Sequence, residues 1–261
     1  MSVAVGASAR APGRTRARVR ALRIIAVIVV AAGWAAASYG GFASAVILPP
    51  PDVVLRELLD LLRGGTLWQA TLVTAMELVV AFVLAGLLGI VAGFLLSRTR
   101  RIAAAMEPLL AWGYVFPFAL LYPLFVTWFD AGPESKIAYA VVNGFFPIAF
   151  NTMRGLSNID ERYLKLAKAF RASRQQIDWH IKVGAAWPMI VSGLRIGCGM
   201  VMVTVVLGEV LGANAGLGFE IQQAVNTFQI AKSYALIAFL TVLTGILLWV
   251  MERAFKASRY A

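Results

Sequence analysis

The sequence is dominated by apolar runs long enough to cross the hydrocarbon core of a bilayer, which takes about 20 residues of helix. Six such runs extend over residues 22–42, 67–96, 108–129, 137–153, 188–211 and 233–251. Only 14% of the 261 residues are charged, whereas soluble domains carry about 25%. We therefore predict an all-α integral membrane protein with about six transmembrane helices.

Lys and Arg are distributed unevenly along the chain. Of the 24, 19 lie in the N-terminal arm, after the second apolar run, between the fourth and fifth runs, or in the tail. The remaining loops hold only Arg56, Arg63, Lys136 and Lys232, and Arg195 lies within the fifth run. Because basic loops stay in the cytoplasm, both termini are predicted to be cytoplasmic. Residues 1–23 then form a basic arm and residues 24–261 a transmembrane domain.

The net charge of +11 is accordingly a topology signal, and we expect no nucleic-acid partner. The first apolar run, followed by the small residues 35–38, also suits a cleavable signal peptide. We expect an uncleaved anchor instead, because cleavage would leave five spans and place one terminus outside.

A short amphipathic helix is predicted between the first two runs. Three prolines, Pro49 to Pro51, stop the first helix. Residues 52–63 then alternate apolar and charged positions at helical spacing, so we expect this helix to lie along the outer membrane surface. Gly64 and Gly65 end it.

The longest cytoplasmic connection, residues 156–187, is the most informative segment. Its first half has apolar residues at helical spacing: Tyr163, Leu164, Ala167 and Phe170. Ser173 is predicted to cap a second short helix that contains Ile177 and Ile181. Together with Arg154 just before it, this connection carries seven basic residues, so its two amphipathic helices belong outside the lipid, and their exposed apolar faces imply a partner.

Several motifs, in this order along nearly the whole chain, resemble the permeases of binding-protein-dependent ABC importers, most closely the branch for sulfonates, taurine, nitrate and bicarbonate. They are Leu48-Pro49-Pro50-Pro51, residues 89–101, Tyr122-Pro123-Leu124-Phe125, Phe145-Phe146-Pro147-Ile148, Ala172-Ser173-Arg174-Gln175, Gly193-Leu194-Arg195-Ile196-Gly197, Gly208-Glu209-Val210-Leu211-Gly212-Ala213 and Gly216-Leu217-Gly218.

The resemblance implies a membrane subunit, not an enzyme, in a bacterial cell inner membrane. Its expected partners are two ATPase subunits, a second permease, an external binding protein and lipid. The sequence has no phosphate-binding G-x-x-x-x-G-K-[ST] loop, so ATP and Mg²⁺ are expected on the ATPases and no cofactor on this chain. We predict no catalytic residue and no metal site, since Cys198 and His180 are the only residues of their types. The expected substrate is a small anion or small organic molecule.

In this family the cytoplasmic segment forms a coupling helix that docks on an ATPase. By the family's motif, the coupling residues are predicted to be Lys165, Leu166, Ala167, Lys168, Ala169, Phe170, Arg171, Ala172, Ser173 and Arg174, with Ile177 and Ile181 as packing residues. The alternative is a stiff loop packed only on its own subunit.

The coupling motif departs from the family pattern. The family usually begins Glu-Ala-Ala, has glycine at the seventh position and later carries Leu-Pro. In this chain, residues 165–167 are Lys-Leu-Ala in place of Glu-Ala-Ala, Arg171 replaces the glycine, and Val183-Gly184 replaces Leu-Pro. Arg171 is the sharpest departure, because glycine serves where φ is positive. These changes suggest pairing with a different permease, although homodimer and heterodimer both stay open.

Polar residues within the spans are candidates for the translocation path: Glu77, Asn143, Arg195 and Glu209. Glu77 could instead bond a neighbouring helix, and Asn143 could make an interhelical hydrogen bond. Arg195 could snorkel to the cytoplasm, and Glu209 could simply stand at the outer end. The alternative function is a secondary transporter or channel that needs no ATPase, and the basic amphipathic segment speaks against it.

Overall fold

The computed structural model describes residues 12–41, 44, 47–159, 162, 169–173 and 176–257. All the regular elements in these ranges are helical. They are α1 (Pro12–Tyr39), α2 (Pro51–Arg63), α3 (Gly65–Leu96), α4 (Arg100–Val115), α5 (Tyr122–Phe129), α6 (Pro133–Ser157), α7 (Val183–Gly212), α8 (Leu217–Asn226) and α9 (Ile230–Ala257). A 3₁₀ turn, Phe118–Leu121, precedes α5, and a π-helical turn, Ile177–Lys182, precedes α7.

The centre of the fold is α6, packed between α3 and α7. Small residues bring the three backbones close together. A Cβ atom at Gly93 would lie 2.5 Å from Thr152 Cβ on α6, and one at Gly197 would lie 2.5 Å from Ile148 Cγ1. Such approaches are typical of helix packing in membranes, where apolar burial alone gives no drive for association. A Cβ atom at Gly89 would likewise lie 2.8 Å from Ile148 Cβ on α6.

The third predicted span, 108–129, is wrong as one continuous helix. It consists of α4 and α5, which are bent by 74° with respect to each other. The break occurs at Pro117, because proline disfavours helical geometry in the residue before it. Phe116 is accordingly extended, with φ −60° and ψ 132°. Pro108, Pro147 and Pro188, by contrast, lie inside helices.

Three helices in the described ranges are long and apolar enough by themselves to cross a bilayer: Gly65–Leu96, Trp179–Gly212 and Ile230–Met251. Helices α4 and α5, bent with respect to each other, add a fourth span if they are counted as one. The apolar part of α1, Ile24–Tyr39, is shorter than the length needed to cross a bilayer as a single helix. Helix α6 has the length, with 25 residues, but it is more polar and is enclosed by α3 and α7. The number six stays a prediction.

The amphipathic helix predicted at 52–63 is confirmed as α2. Its Leu61 and Leu62 pack on a cluster that includes Leu217 and Leu236, while Leu55 and Leu59 stay exposed. Gly64 ends it with extended geometry, not the left-handed geometry expected of a C-terminal glycine, and α3 begins at the next residue.

Helix α1 joins the rest of the chain near its C-terminal end. Trp34 Nε1 donates to the Pro49 carbonyl at 3.2 Å, and Ser38 Oγ donates to the Leu48 carbonyl at 2.7 Å. Tyr39 Oη also donates to Asp52 Oδ1 of α2. The proline turn that ends the first span is therefore a hydrogen-bonded junction as well as a helix stop.

The second cytoplasmic helix predicted after Ser173 is not a separate element. The π-helical turn at 177–182 continues directly into α7, so the fifth predicted span, 188–211, begins much earlier. The reason is local: a cap at Ser173 starts the helix, and the next proline, Pro188, is absorbed within it.

The two ends of the bundle differ in charge. Contacts between Phe94 and Trp179, and between Gly155 and Ala186, bring the end of α3, the end of α6 and the start of α7 together. We call this the basic end, because Arg98, Arg100, Arg101, Arg154, Arg171 and Lys182 are near it. The opposite end holds α2, α8 and the starts of α3, α6 and α9.

Candidate functional site

A buried polar cluster lies near the opposite end of the bundle, and we define it as Thr74, Glu77, Lys136 and Glu209. Helix α3 contributes Thr74 and Glu77, α6 contributes Lys136, and α7 contributes Glu209. All four side chains are enclosed, with relative exposures of 5% or less. Buried charges in a membrane protein are costly unless they are paired, so these contacts stabilise the arrangement of three helices.

Glu209 joins α7 to α3 and to the start of α8. Its Oε1 accepts a hydrogen bond from Thr74 Oγ1 at 2.7 Å, and its Oε2 accepts one from the Gly218 amide at 2.7 Å. The Leu217 amide donates to Thr74 Oγ1 at 2.9 Å. A carboxylate at a helix N-terminus satisfies amides that have no partner within the helix and is stabilised by the helix dipole.

The glycines at the start of α8 leave room for this carboxylate. A Cβ atom at Gly216 would clash with Glu209 Oε1, and one at Gly218 would lie 2.5 Å from the Val206 carbonyl oxygen. Gly216 also has φ 111°, which favours glycine. The Gly216-Leu217-Gly218 motif therefore permits the close approach of α8 to Glu209.

Glu77 and Lys136 form the second pair in the cluster. Lys136 Nζ lies 2.5 Å from Glu77 Oε1, and both side chains are 2% exposed. Lys136 Nζ is also 3.5 Å from the carbonyl of Ala215, in the loop that leads to α8. The expectation that Lys136 belongs to an outer loop is wrong, because α6 begins at Pro133 and carries this lysine into the bundle.

At the basic end, the described part of the coupling segment has a capped helix start. The Gln176 amide donates to Ser173 Oγ at 3.2 Å, and the Ser173 amide donates to Gln176 Oε1 at 2.8 Å. This reciprocal pair is a capping box, and it confirms the predicted cap at Ser173. Phe170 is 79% exposed, and Arg171 has a left-handed backbone with φ 54°.

Comparison with known proteins decides the family. Residues 85–258 match the family described as the binding-protein-dependent transport system inner membrane component. The chain belongs to this family.

Individual relatives agree with this assignment. A probable ABC transporter permease protein of Haemophilus influenzae is 32% identical over 79% of this chain and 85% of its own length. The taurine transport system permease protein TauC of Escherichia coli is 30% identical over 80% of this chain and 79% of its own length. The putative aliphatic sulfonates transport permease protein SsuC of Bacillus subtilis is 28% identical over 93% and 88%. This permease thus lies in the taurine and sulfonate branch of ABC importers.

The fold of the permease is also that of a solved transporter chain. A chain from the inward-facing MetNI methionine ABC transporter superposes with a TM-score of 0.62 at 20% identity, covering 75% of this permease and 95% of that chain. The fold-class prediction, an all-α membrane protein, is confirmed by this match and by the helices of the described ranges.

The structure brings together two of the four residues predicted for the translocation path. Glu77 and Glu209 belong to the buried polar cluster and are closed off from solvent in this conformation. Asn143 Nδ2 lies 3.5 Å from the Tyr139 carbonyl of its own helix, and Arg195 is exposed on α7. Their assignment to the path stays a prediction.

Sequence reasoning missed Thr74 and Lys136. A buried acid such as Glu77 needs a cation or hydrogen-bond donor nearby, and that requirement could have pointed to Lys136, three residues after Pro133. Thr74 gave no such signal, because a threonine in an apolar helix usually bonds its own backbone, as this one also does to Ala70.

Among the predicted coupling residues, the structure describes Ala169, Phe170, Arg171, Ala172, Ser173, Ile177 and Ile181. Lys165, Leu166, Ala167, Lys168 and Arg174 lie outside the described residues. Ile177 and Ile181 are half-buried, in keeping with a packing role, while Ala169 to Arg171 are exposed.

Proposed function

We propose that this permease forms the translocation path of an ATP-driven importer together with a second permease. Two ATPase subunits, which bind ATP and Mg²⁺, drive it by alternating access, and an external binding protein delivers a small anion or small organic molecule. The family and the taurine and sulfonate relatives support this proposal. The basic end faces the cytoplasm of a bacterial cell, as the positive-inside rule requires.

The observation that carries the proposal is the continuity of the helix after Ser173. From Gln176 to Gly212 the backbone is helical without a break, and Glu209 lies near its far end. A helix of this length spans roughly 50 Å. Movement of the coupling segment at the basic end is therefore transmitted as a rigid-body motion to the buried polar cluster.

The exposed Phe170 provides an apolar contact for the ATPase groove. Arg171 stands next to it in a left-handed conformation, which the family's glycine would adopt without strain. The geometry that the family's motif needs is thus kept even though the glycine is absent. A docking surface of this kind has no role in a secondary transporter.

The test is to co-express the permease with the ATPase, second permease and binding protein of its gene cluster and to purify by a tag on this chain. We expect an ATPase to co-purify, and its hydrolysis in lipid to be stimulated by loaded binding protein. Arg171→Glu should abolish stimulation, whereas Arg171→Gly should retain it. Arg98→Glu is the matched control, since it makes the same charge change at the same end outside the coupling segment.

Failure to recover an ATPase, together with substrate flux driven by an ion gradient, would contradict the proposal in favour of a secondary transporter. The same purification answers whether the second permease is a different chain. A complex that transports with two copies of this chain alone would be a homodimer.

A further inference from the structure

The turn between α8 and α9, at the opposite end, holds an aromatic residue that the fold does not require. Helix α8 ends in a Schellman motif: the Gln229 amide donates to the Ala224 carbonyl at 2.8 Å, and the Phe228 amide donates to the Val225 carbonyl at 3.1 Å. The motif needs one left-handed residue, usually glycine. Phe228 fills this position with φ 56°. Folding alone would favour a residue without Cβ here.

The side chain of Phe228 makes little packing contact that could offset the strain of its left-handed backbone. It is 82% exposed, the highest value among the large apolar side chains of the described residues. Strained residues that persist without a structural reason are found mainly at functional sites. Phe228 is therefore a candidate for contact with another molecule.

A groove of about 620 Å³ lies beside Phe228. Its other walls come from the proline turn and the first turn of α2, with Pro49, Pro50 and Val53, and from the start of α9. Glu57 and Lys232 add one charge of each sign to its lining. The groove therefore combines apolar walls with a few polar groups, and an exposed aromatic side chain stands next to it.

The composition of the turn favours a protein partner over lipid head groups. Residues 222–229 contain no charged side chain and four amide side chains, Gln222, Gln223, Asn226 and Gln229. Protein interfaces have few charged residues at their centres and are enriched in aromatic anchors. A surface that binds lipid head groups would instead be expected to carry Lys and Arg with Trp and Tyr.

We propose that Phe228 and the groove beside it are the docking site for the external binding protein, with the Phe228 ring inserted into an apolar recess of that protein. The inference rests on the proposed function, which places this end outside the cell. The family description itself states that transport depends on a binding protein.

The test uses the complete complex in lipid nanodiscs and measures the affinity of the binding protein, basal ATP hydrolysis and thermal stability. Phe228→Gly removes the ring and relieves the backbone strain, so we expect unchanged or higher stability and unchanged basal hydrolysis. Affinity for the binding protein should fall about tenfold or more, as for an interface hot spot. Trp128→Ala is the matched control, because Trp128 is another exposed aromatic (66%) that does not line the groove.

Three results would overturn the inference while leaving the proposed function intact. Phe228→Gly could bind as tightly as the wild type. Trp128→Ala could weaken binding to the same extent, which would point to a general role of exposed aromatics in lipid. Phe228→Gly could separate the two permeases without changing the affinity, which would make the surface a permease–permease contact. Absence of an ATPase from the wild-type complex would instead contradict the proposed function itself, and the docking site with it.

Discussion

At the scale of single residues, Glu209 contributes most to the site. Its two oxygens accept one hydrogen bond from α3 and one from the first turn of α8, so a single carboxylate holds three helices in register. Removing one partner from a buried hydrogen bond leaves the other unsatisfied, which costs about 1–3 kcal/mol.

Glu209→Gln therefore tests whether this carboxylate joins the helices. The amide has one acceptor in place of two and turns an N–H group towards a donor, so we expect a loss of about 1–3 kcal/mol in the free energy of unfolding. Glu220→Gln is the matched control, because Glu220 pairs with Lys232 at a partly exposed site and such pairs contribute about 1 kcal/mol or less. Denaturant titration in detergent measures both, and equal losses would contradict the prediction.

The ion pair between Glu77 and Lys136 makes a separate prediction. Lys136→Met leaves the Glu77 carboxylate buried without its cation, and we expect a loss of about 3–5 kcal/mol. The double variant Lys136→Met with Glu77→Gln removes both charges and should recover a large part of it. A double variant as unstable as the sum of its single variants would show that the two side chains do not interact.

At the scale of elements, backbone approach between α3 and α6 decides the packing. Two glycines on α3 differ in how much space a Cβ atom would have. A Cβ atom at Gly93 would lie 2.5 Å from Thr152 Cβ, whereas one at Gly86 would lie 3.6 Å from Leu194 Cδ2. The first distance requires the helices to separate, and the second is a normal van der Waals contact.

We therefore expect Gly93→Ala to destabilise the permease by about 1–3 kcal/mol through overpacking. Gly86→Ala should be neutral or slightly stabilising, because alanine is the better helix former by about 1 kcal/mol. Thermal unfolding midpoints of the two variants, measured side by side in the same detergent, give the comparison. Equal midpoints would mean that α3 and α6 do not pack through Gly93.

At the scale of the whole molecule, the two ends are expected to face different compartments. The only cysteine, Cys198, is buried and is therefore a poor target for thiol reagents. A cysteine introduced at an exposed position would then be the main site of labelling. Phe228 at the opposite end and Arg171 at the basic end are both exposed. They therefore offer a matched pair of labelling sites.

In intact cells, a membrane-impermeant maleimide should label Phe228→Cys and not Arg171→Cys. After the membrane is permeabilised, both variants should react, because both side chains reach solvent. Labelling of Arg171→Cys in intact cells would reverse the orientation that the basic residues predict. The wild type, with Cys198 alone, serves as the background.

The sequence by itself determined the features that depend on neighbours along the chain. The apolar runs, the amphipathic helix at 52–63 and the cap at Ser173 follow from hydropathy, helical period and side-chain chemistry within a few residues. Arg171 is different, because the family motif marked it only as a departure from glycine, and the structure showed that its backbone is left-handed with φ 54°.

The tertiary structure alone decided which distant residues meet. Thr74 and Glu209 are 135 positions apart, and neither signals the other in the sequence. Lys136 was placed in a loop because its partner lies on another helix, and the break at Pro117 was missed because membrane helices elsewhere in this chain absorb their prolines. These outcomes depend on how helices pack, because pairing of buried charges and close backbone approach are properties of the assembled bundle and not of any one segment.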